Sequence, residues 1–576
     1  MIILLKGGIF MLYPINNTKR VAISLNGLWN FECVKVDYSP KTPLKNPLLI
    51  GVPASYNELF TEASIRDYVG LVCYERLIYI PQLSNASEYR IRIGAAGHIA
   101  KIYLDGVFVY EHNGHFLPID FMIPERFIKK GKARLSVVLD NRLSFSTLPI
   151  GETFDKNSKL IQSINHDFAN ETGIHRDVYL YTLPSMPIRD VFIKTKGHEE
   201  EAIVFYEIVT DAITILSEVI SPSGEIIAKG TGKSGQLFIL NPVLWDIGKG
   251  NLYTFRIQTE IDLYEEAFGI RDIEIKGTEF LLNGKPVYFK GFGMHEDHII
   301  LGKASNSALN IRDFNLLKWI NANSFRTSHY PYAEQMYELA DKFGFLVIDE
   351  IPAVGLNFWS SREVFKEGTV DNRTLETHKA QLTELIERDK NHPSVVMISV
   401  ANEANTYENG SLPYFEQVFA HIRSITDLPI TIVENVGAKD NKVAQLADVI
   451  GLNRYAGWYT DFSDTSVIFD QLTDQLNQYY QKFKKPMILT EFGADTIAGL
   501  HKLPAVAFSE EFQVEFLKEY QAVLKTLPYV IGEHVWNFAD FLTKQGLTRF
   551  DGNKKGVFTR DRQPKMAAHW LKEQWK

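Results

Sequence analysis

From about residue 276 onward, the sequence alternates between short apolar runs and longer amphipathic segments, and this alternation constrains the fold most. Eight apolar runs have the length and composition of buried strands. They lie at 287–289, 324–327, 345–348, 395–399, 430–433, 449–452, 487–489 and 530–535. Amphipathic segments such as 311–322 and 510–524 lie between most of them. Repeated strand–helix alternation predicts a closed parallel (β/α)8 TIM barrel over residues 276–576.

The segment 12–182 lacks this strand–helix alternation and instead has the pattern of short strands separated by turns. Asp105-Gly106 joins the apolar runs 102–104 and 107–110. This dipeptide is typical of a two-residue hairpin turn, where both central residues need positive φ. The segment therefore predicts an antiparallel, jelly-roll β-sandwich.

The segment 183–275 predicts a second and smaller sandwich. Its candidate strands lie at 191–193, 202–206, 213–216 and 252–257. Their number and spacing are typical of an immunoglobulin-like domain. The predicted fold class is thus multidomain, with two β-sandwiches followed by an α/β barrel.

Chain length indicates how many domains to expect, and net charge indicates which classes of binding partner are disfavoured. The 576 residues exceed the roughly 250–300 that one hydrophobic core accommodates, so several domains are expected. A formal net charge of −9, from 61 basic and 70 acidic side chains, argues against a nucleic-acid or anionic-membrane partner.

The number of cysteines and the composition of residues 1–10 indicate the cellular compartment in which the protein is expected. Cys33 and Cys73 are the two cysteines of the sequence, too few for a disulfide framework or a cysteine-rich metal site. The apolar segment 1–10 lacks a basic region and a small-residue cleavage site, and it is too short to span a bilayer. Met11 could equally be the first residue, which leaves 1–10 outside the native protein. We expect a cytoplasmic protein.

Polar residues follow nearly every apolar run of the predicted barrel. In such barrels the carboxyl ends of the strands form one rim, where active sites lie. Asn402-Glu403 closes the run 395–401, and Glu491 closes the run 487–490. Two carboxylates at the ends of two inner strands can meet across one pocket. Retaining glycoside hydrolysis needs such a pair, one to protonate the leaving oxygen and one to attack from the opposite face.

Two glutamates on a rim also have a simpler explanation. Both could be solvated or held in salt bridges, because strand ends are wetter than strand bodies. Solvation or salt bridging explains why the strand ends are polar. It explains less well why so many amides, carboxylates and imidazoles share one rim. We interpret Glu403 and Glu491 as catalytic, with one carboxyl protonated near neutral pH because two close carboxylates cannot both ionise freely.

Three long motifs resemble the signatures of glycoside hydrolase family 2. The first covers 323–331 and continues to 344–350, the second covers 388–403, and the third is Thr490-Glu491-Phe492-Gly493. The resemblance implies that Glu403 is the acid/base and Glu491 the nucleophile. The family's domain order of jelly roll, immunoglobulin-like domain and barrel is also the order predicted above.

Within that family the chain is similar to the β-glucuronidases, through the segments 453–459, 536–540 and 552–561. The resemblance implies that Asn553 and Lys555 hold the C6 carboxylate of glucuronic acid. An ammonium charge beside an amide suits a carboxylate better than it suits a neutral hexose. The simpler alternative for these residues is a solvated basic turn.

The resemblance implies further contacts with the sugar. Asp167 would reach over from the first domain to a sugar hydroxyl, His295 would contact a ring hydroxyl, and Asn402 would bond the 2-hydroxyl. Aromatic walls and a second positive charge complete the pocket. The full set implied for substrate binding is Asp167, His295, Asn402, Asn453, Tyr455, Tyr459, Trp536, Arg549, Asn553 and Lys555.

The implied activity is that of a retaining exo-β-D-glucuronidase that needs no cofactor and no metal. His295-Glu-Asp-His298 lacks the His-Glu-x-x-His spacing of a metal-binding helix. The rival interpretations are a β-galacturonidase or β-galactosidase with the same machinery, or a carbohydrate-binding protein without catalysis. The resemblance also implies a homo-oligomer, commonly a tetramer.

Overall fold

The computed structural model describes residues 12–157, 159–358 and 362–576, so the expectation for segment 1–10 lies outside the described residues. Within them the chain forms two antiparallel β-sandwiches followed by a closed parallel barrel of eight strands. The predicted fold class is confirmed.

The first sandwich packs a six-stranded sheet on a four-stranded sheet around buried residues such as Trp29, Phe31 and Val137. In sheet order, the larger sheet contains Leu48–Val52, Gly27–Val34, Leu71–Tyr79, Lys132–Asp140, Ile99–Leu104 and Val107–Asn113. The smaller contains Ala22–Ser24, Val178–Leu183, Glu88–Ile93 and Ile119–Met122. Asp105 and Gly106 have φ of 48° and 80°, as the predicted hairpin requires.

Smaller elements decorate this sandwich. The pair Gly151–Lys156 and Lys159–Ile164 leads toward the barrel, and Ala96–Gly97 pairs with Gly173–Ile174. Its short helices are Tyr56–Leu59, Ala63–Arg66 and Glu125–Lys130.

The second sandwich has seven strands in two sheets. In sheet order they are Asp190–Gly197, Glu201–Val209 and Ser234–Leu240, then Ile226–Thr231, Leu216–Ile220, Tyr253–Gln258 and Leu263–Phe268. The third strand in chain order begins at Leu216, later than predicted. A turn in which the Thr210 hydroxyl accepts from the Ala212 N–H precedes it, and Ile213 lies exposed.

A three-stranded meander, Ile273–Lys276, Glu279–Leu282 and Lys285–Pro286, leads into the barrel. Phe280 and Leu282 pack against residues near the beginnings of the barrel strands, among them Leu346, Val449 and Ile488. The meander therefore closes the amino-terminal end of the barrel and leaves the opposite rim for chemistry.

The eight barrel strands, numbered 1 to 8 in chain order, are Phe289–Gly293, Ser324–Arg326, Leu346–Glu350, Val395–Asn402, Ile430–Glu434, Val449–Asn453, Met487–Glu491 and Val530–Val535. Strand 1 pairs in parallel with both strand 2 and strand 8, which closes the barrel. The α-helices of this part are Ser307–Trp319, Glu334–Phe343, Asn372–Asp389, Ser411–Arg423, Ile468–Phe483, Glu510–Leu524 and Met566–Gln574. Two 3-10 turns, Ala444–Leu446 and Thr465–Val467, add to them, and the first takes the place of a helix after strand 5.

Strand 1 lies further along the chain than the predicted run 287–289. A Cβ at Gly291 would lie 1.9 Å from the Ser324 carbonyl oxygen, so the close approach of strand 2 requires glycine there. Glycine weakens the apolar signal of a strand, which is why the sequence pattern misplaces this one.

Candidate active site

The carboxyl ends of the barrel strands bring polar side chains onto one rim. Because parallel strands all end at the same side, residues distant in sequence become neighbours there. The rim residues at or just after the strand ends are His295, Arg326, Glu350, Asn402, Glu403, Glu434, Asn453, Glu491 and Trp536. Most of them are buried, so their charges and hydrogen bonds are held in fixed arrangements.

Arg326 links two of the rim carboxylates. Its Nη2 donates to Glu491 Oε1 at 2.6 Å, and its Nη1 donates to both oxygens of Glu350 at 2.8 Å. Tyr455 Oη donates to the other oxygen of Glu491 at 2.8 Å. Two donors, one of them charged, therefore fix the orientation of the Glu491 carboxylate and stabilise its negative charge.

Glu403 lies in a poorer hydrogen-bonding environment. Its Oε1 accepts one hydrogen bond, from Asn453 Nδ2 at 2.7 Å. The same amide nitrogen is 3.2 Å from Asn402 Oδ1, and Thr490 Oγ1 donates to Asn453 Oδ1 at 2.9 Å. This chain of side chains holds Asn402 and Glu403 side by side at the end of strand 4.

The two carboxyls titrate as a pair. Burial raises the pKa of Glu491 to about 8, and burial also raises the pKa of Glu403. The Glu403 charge contributes to the shift of Glu491, so the pair retains one proton at neutral pH. Because Arg326 and Tyr455 donate to Glu491, we assign the negative charge to Glu491 and the proton to Glu403.

Two other rim carboxyls have different environments. Burial opposes ionisation of Glu350, but Arg326, the His329 ring and the Ser399 hydroxyl together lower its pKa, so it is a fixed anion. Burial raises the pKa of Glu434 to about 7, and its Oε2 accepts from Thr406 Oγ1 at 2.7 Å. Glu350 serves to hold Arg326, which in turn holds Glu491.

His295 and Trp536 form one wall. His295 Nδ1 is 3.1 Å from the Tyr330 hydroxyl, while its Nε2 is buried without a partner among the described residues. Burial and the positive charges around it hold the pKa of His295 well below its usual range. A neutral imidazole with one free nitrogen is suited to bond a sugar hydroxyl. The Trp536 ring lies across it at 5.5 Å between centroids.

A second cluster lies beside the pair, where strand 6 and the carboxyl-terminal loops meet. Lys555 Nζ donates to Tyr459 Oη at 2.9 Å and contacts Asp495. Arg549 Nη2 donates to the same phenol oxygen at 2.6 Å. Burial opposes the charge of Lys555, but Tyr459 and Asp495 raise its pKa above the usual value, so the ammonium stays charged. An ammonium, a guanidinium and a phenol thus converge on one small region.

The first domain contributes to this cluster through Asp167. Arg549 Nε and Nη2 donate to its carboxylate at 2.6–2.9 Å, and Asn553 Nδ2 donates to it at 3.1 Å. Asn553 Oδ1 accepts from the Lys555 backbone N–H at 3.0 Å. All ten side chains proposed from the sequence to bind substrate therefore lie on the rim or in the clusters that adjoin it.

Three residues of this site were absent from the sequence-based set. Arg326 and Glu350 stand at strand ends inside the first motif, so their position was visible, but their pairing needs two strands placed side by side. Asp495 follows Glu491 by four residues in a loop, and no pattern links it to Lys555.

No group of three His, Cys, Asp or Glu side chains in the described ranges is arranged to hold a metal ion.

Three models of a single sequence family match successive parts of the chain. Residues 273–576 match "Glycosyl hydrolases family 2, TIM barrel domain", residues 23–184 match "Glycosyl hydrolases family 2, sugar binding domain", and residues 186–271 match "Glycosyl hydrolases family 2". A β-glucuronidase of Paenibacillus borealis is 42% identical over 98% of both chains.

Solved structures agree with this relationship. A β-D-glucuronidase of Dictyoglomus thermophilum superimposes with a TM-score of 0.94 at 45% identity, covering 98% of both chains. A Ruminococcus gnavus β-glucuronidase in complex with D-glucuronic acid superimposes with a TM-score of 0.92 at 37% identity, covering 98% of this chain and 99% of the other. The chain belongs to glycosyl hydrolase family 2.

Proposed function

We propose that the chain is a retaining exo-β-D-glucuronidase, which hydrolyses β-glucuronides to glucuronic acid and an aglycone. The observation that carries this proposal is the convergence of Lys555, Arg549, Asn553 and Tyr459 beside the carboxylate pair. A uronic acid differs from a neutral hexose by one carboxylate, and these side chains offer it two positive charges and oriented donors. The β-glucuronidases to which the chain is similar support this assignment.

In the first step Glu491 attacks the anomeric carbon while Glu403 gives its proton to the departing glycosidic oxygen. The bond from carbon to the aglycone oxygen breaks as the bond to Glu491 forms, which leaves a covalent glucuronyl-enzyme and an ionised Glu403. Arg326 and Tyr455 orient the attacking carboxylate. Asn402 would bond the 2-hydroxyl, where a hydrogen bond strengthens in the transition state.

In the second step Glu403 acts as a base. It takes a proton from a water molecule, whose oxygen attacks the anomeric carbon and displaces Glu491. Two inversions restore the β configuration, and the pair again holds one proton. The residues above supply each of these steps, so the proposed reaction uses neither a metal nor a cofactor.

The substrate assignment is tested by comparing aryl β-glucuronide, β-galacturonide and β-galactoside as substrates of the unmodified enzyme. We expect kcat/KM for the glucuronide to exceed that for the galactoside by at least about 100-fold, since the galactoside lacks the carboxylate that would form charge-assisted hydrogen bonds with Lys555 and Arg549. Preference for galactoside would refute the uronate assignment, and preference for galacturonide would replace glucuronide with its C4 epimer. Turnover of none of the three would favour the carbohydrate-binding alternative.

The shared proton predicts the pH dependence. The pair holds one proton at neutral pH, which we assigned to Glu403 from the hydrogen bonds, and kcat/KM should fall as the pair loses that proton, near the pKa of about 8 to which burial raises Glu491. A Glu403→Ala variant should lose this alkaline limb with a dinitrophenyl glucuronide, whose leaving group needs no proton. An unchanged limb in that variant would assign the titration to another group.

We also propose that the protein is cytoplasmic and forms a homo-oligomer, a tetramer by analogy with the family. The proposed domain boundaries within each chain are 12–182, 183–275 and 276–576. Cys33 and Cys73 are free, as is usual for proteins of a reducing compartment. No helix in the described part of the chain is both long and apolar enough to cross a bilayer. Light scattering after size-exclusion chromatography tests the tetramer, and a monomeric mass would refute it.

A further inference from the structure

A buried lysine lies close to the wall of the active site that His295 forms. Lys303 belongs to the loop after strand 1, and 2% of its surface is exposed. Its Nζ donates one hydrogen bond, to the Tyr330 hydroxyl at 3.3 Å, and forms no ion pair within the part of the chain that the structure describes. An ammonium buried in this way costs free energy. The position therefore points to a role beyond packing, and the mechanism proposed above does not use it.

A tight turn that rests on the first domain places Lys303. His298 and Gly302 exchange backbone hydrogen bonds at 2.8 and 2.9 Å. Gly302 has a φ of 59°, and a Cβ there would lie 2.7 Å from the Ser55 side chain, so the turn requires glycine. The backbone N–H of Lys303 then donates to Ser55 Oγ at 3.0 Å. The turn thus holds the lysine at the interface between the first domain and the barrel.

Tyr330 connects Lys303 to the active site. Its hydroxyl oxygen is 3.3 Å from Lys303 Nζ and 3.1 Å from His295 Nδ1. On the other side of the imidazole ring, Nε2 is buried and has no partner among the described residues. The three side chains therefore form a chain from the domain interface to the nitrogen that would contact the sugar.

Lys303 is the charged end of this chain. Burial lowers the pKa of Lys303, but carboxylates around it oppose that shift, with the largest contributions from Glu171 and Asp297. The rings of Phe168 and Tyr330 lie with their centroids 4.8 and 4.9 Å from Nζ, and this contact also favours the ammonium form.

The neighbours of the phenol determine where its one proton points. An ammonium can only donate, so the contact with Lys303 uses a lone pair of the Tyr330 oxygen. The phenol proton can go to His295 Nδ1 at 3.1 Å or to the Glu296 carbonyl oxygen at 3.4 Å. Nδ1 is closer and more basic, and the ammonium polarises the phenol into a better donor. Nδ1 therefore accepts the hydrogen bond.

We propose that Lys303 is a positioning residue that fixes the tautomer of His295 through Tyr330. Because the neutral imidazole has one proton and Nδ1 accepts from the phenol, that proton is on Nε2. His295 then donates a hydrogen bond to a hydroxyl oxygen of the sugar. This inference rests on the proposed function, since it takes the glucuronide as the ligand that lies beside His295.

The test measures kcat/KM for a dinitrophenyl β-glucuronide and for its 3-deoxy and 4-deoxy analogues. The informative quantity is the ratio of parent to deoxy substrate, because loss of folded enzyme cancels in it. His295→Ala should lower this ratio at one position, which identifies the hydroxyl that Nε2 contacts. A ratio unchanged at both positions would overturn the inference, since His295 would then contact neither hydroxyl.

Lys303→Met and Tyr330→Phe should each lower the ratio at that position by about tenfold, because the imidazole can then adopt the tautomer that does not donate. The ratio at the other position should stay within about twofold. The double variant K303M/Y330F should match Tyr330→Phe, since Lys303 acts through the phenol. An unchanged ratio in Lys303→Met, or a further loss in the double variant, would overturn the role of Lys303.

A deoxyfluoro analogue at the identified position tests the direction of the hydrogen bond. Fluorine can accept a hydrogen bond weakly and cannot donate one. Relative to His295→Ala, the unmodified enzyme should therefore favour the fluoro substrate over the deoxy substrate, and Lys303→Met should lose this preference. Equal rates on the two substrates, measured against His295→Ala, would make Nε2 an acceptor and overturn the tautomer.

The matched control is Ser55→Ala, which removes the acceptor of the Lys303 backbone N–H and leaves the ammonium in place. It should leave every ratio unchanged, and a loss equal to that of Lys303→Met would assign the effect to a loosened interface. Failure of the proposed function is a separate result, because the unmodified enzyme would then not hydrolyse the parent glucuronide at all.

Discussion

Replacing Glu491 by alanine is expected to lower kcat for an aryl β-glucuronide by about 10⁴-fold or more, because the covalent route is lost. Arg326 and Tyr455 remain in place and continue to donate into the space that the carboxylate leaves. A small anion such as azide can occupy that space, attack the anomeric carbon and restore turnover. The product should then be the α-glucuronyl azide, since one inversion replaces two.

The control for this prediction is Glu403→Ala, which removes the other carboxyl of the pair. It should retain formation of the glycosyl-enzyme with a dinitrophenyl leaving group, and azide should give the β-configured product. Exchange of these two outcomes between the variants would reverse the roles assigned to Glu403 and Glu491. Activity of Glu491→Ala close to that of the unmodified enzyme would remove Glu491 from the mechanism.

Replacing Lys555 by methionine is expected to lower kcat/KM for the glucuronide by about 100-fold or more, the effect of removing one charge from a buried, hydrogen-bonded ion pair. The same change should leave turnover of a neutral β-glucoside or β-galactoside unchanged or slightly higher. The ratio of the two values is the informative quantity, because a general loss of folded enzyme lowers both.

Two controls separate recognition from folding. Lys555 is fully buried against Asp495, so Lys555→Met alone removes the ammonium partner of a buried carboxylate and leaves it the Lys554 N–H and an Arg549 contact at 3.9 Å, whereas D495N/K555M removes both charges. The double variant should recover stability and keep the changed specificity. Lys554→Met changes the neighbouring lysine, whose ammonium pairs with Asp551 near the surface, and should leave specificity intact. Unchanged glucuronide preference in both Lys555 variants would refute the proposed uronate cluster.

The fold could be predicted from the sequence because the patterns that indicate its strands and helices extend over only a few neighbouring residues. Strand–helix alternation and the rim position of Glu403 and Glu491 follow from apolar runs and the residues that end them, and the structure has a strand for each of the eight runs. Strand 1 was misplaced because packing against strand 2 requires Gly291, and glycine carries no apolar signal. The 3-10 turn Ala444–Leu446 replaces a helix in a connection too short for several helical turns.

What the sequence could not supply were relations between distant segments. The contact of Lys555 with Asp495 and the bridge of Arg326 between Glu350 and Glu491 depend on which loops and strands lie side by side. The reach of Asp167 from the first domain toward a sugar hydroxyl was implied by resemblance alone, and its contact with Arg549, 382 residues away in the chain, was not predicted.

The central claim is that the chain cleaves β-glucuronides through a covalent intermediate on Glu491. The most direct measurement is peptide mass spectrometry after incubation with 2-deoxy-2-fluoro-β-D-glucuronyl fluoride, whose glycosyl-enzyme hydrolyses slowly. The account predicts one added fluoroglucuronyl group, on the peptide that contains Thr490-Glu491-Phe492-Gly493 and on Glu491 within it. A label on another carboxyl, or an unlabelled enzyme that releases α-glucuronic acid from β-glucuronides, would contradict the account.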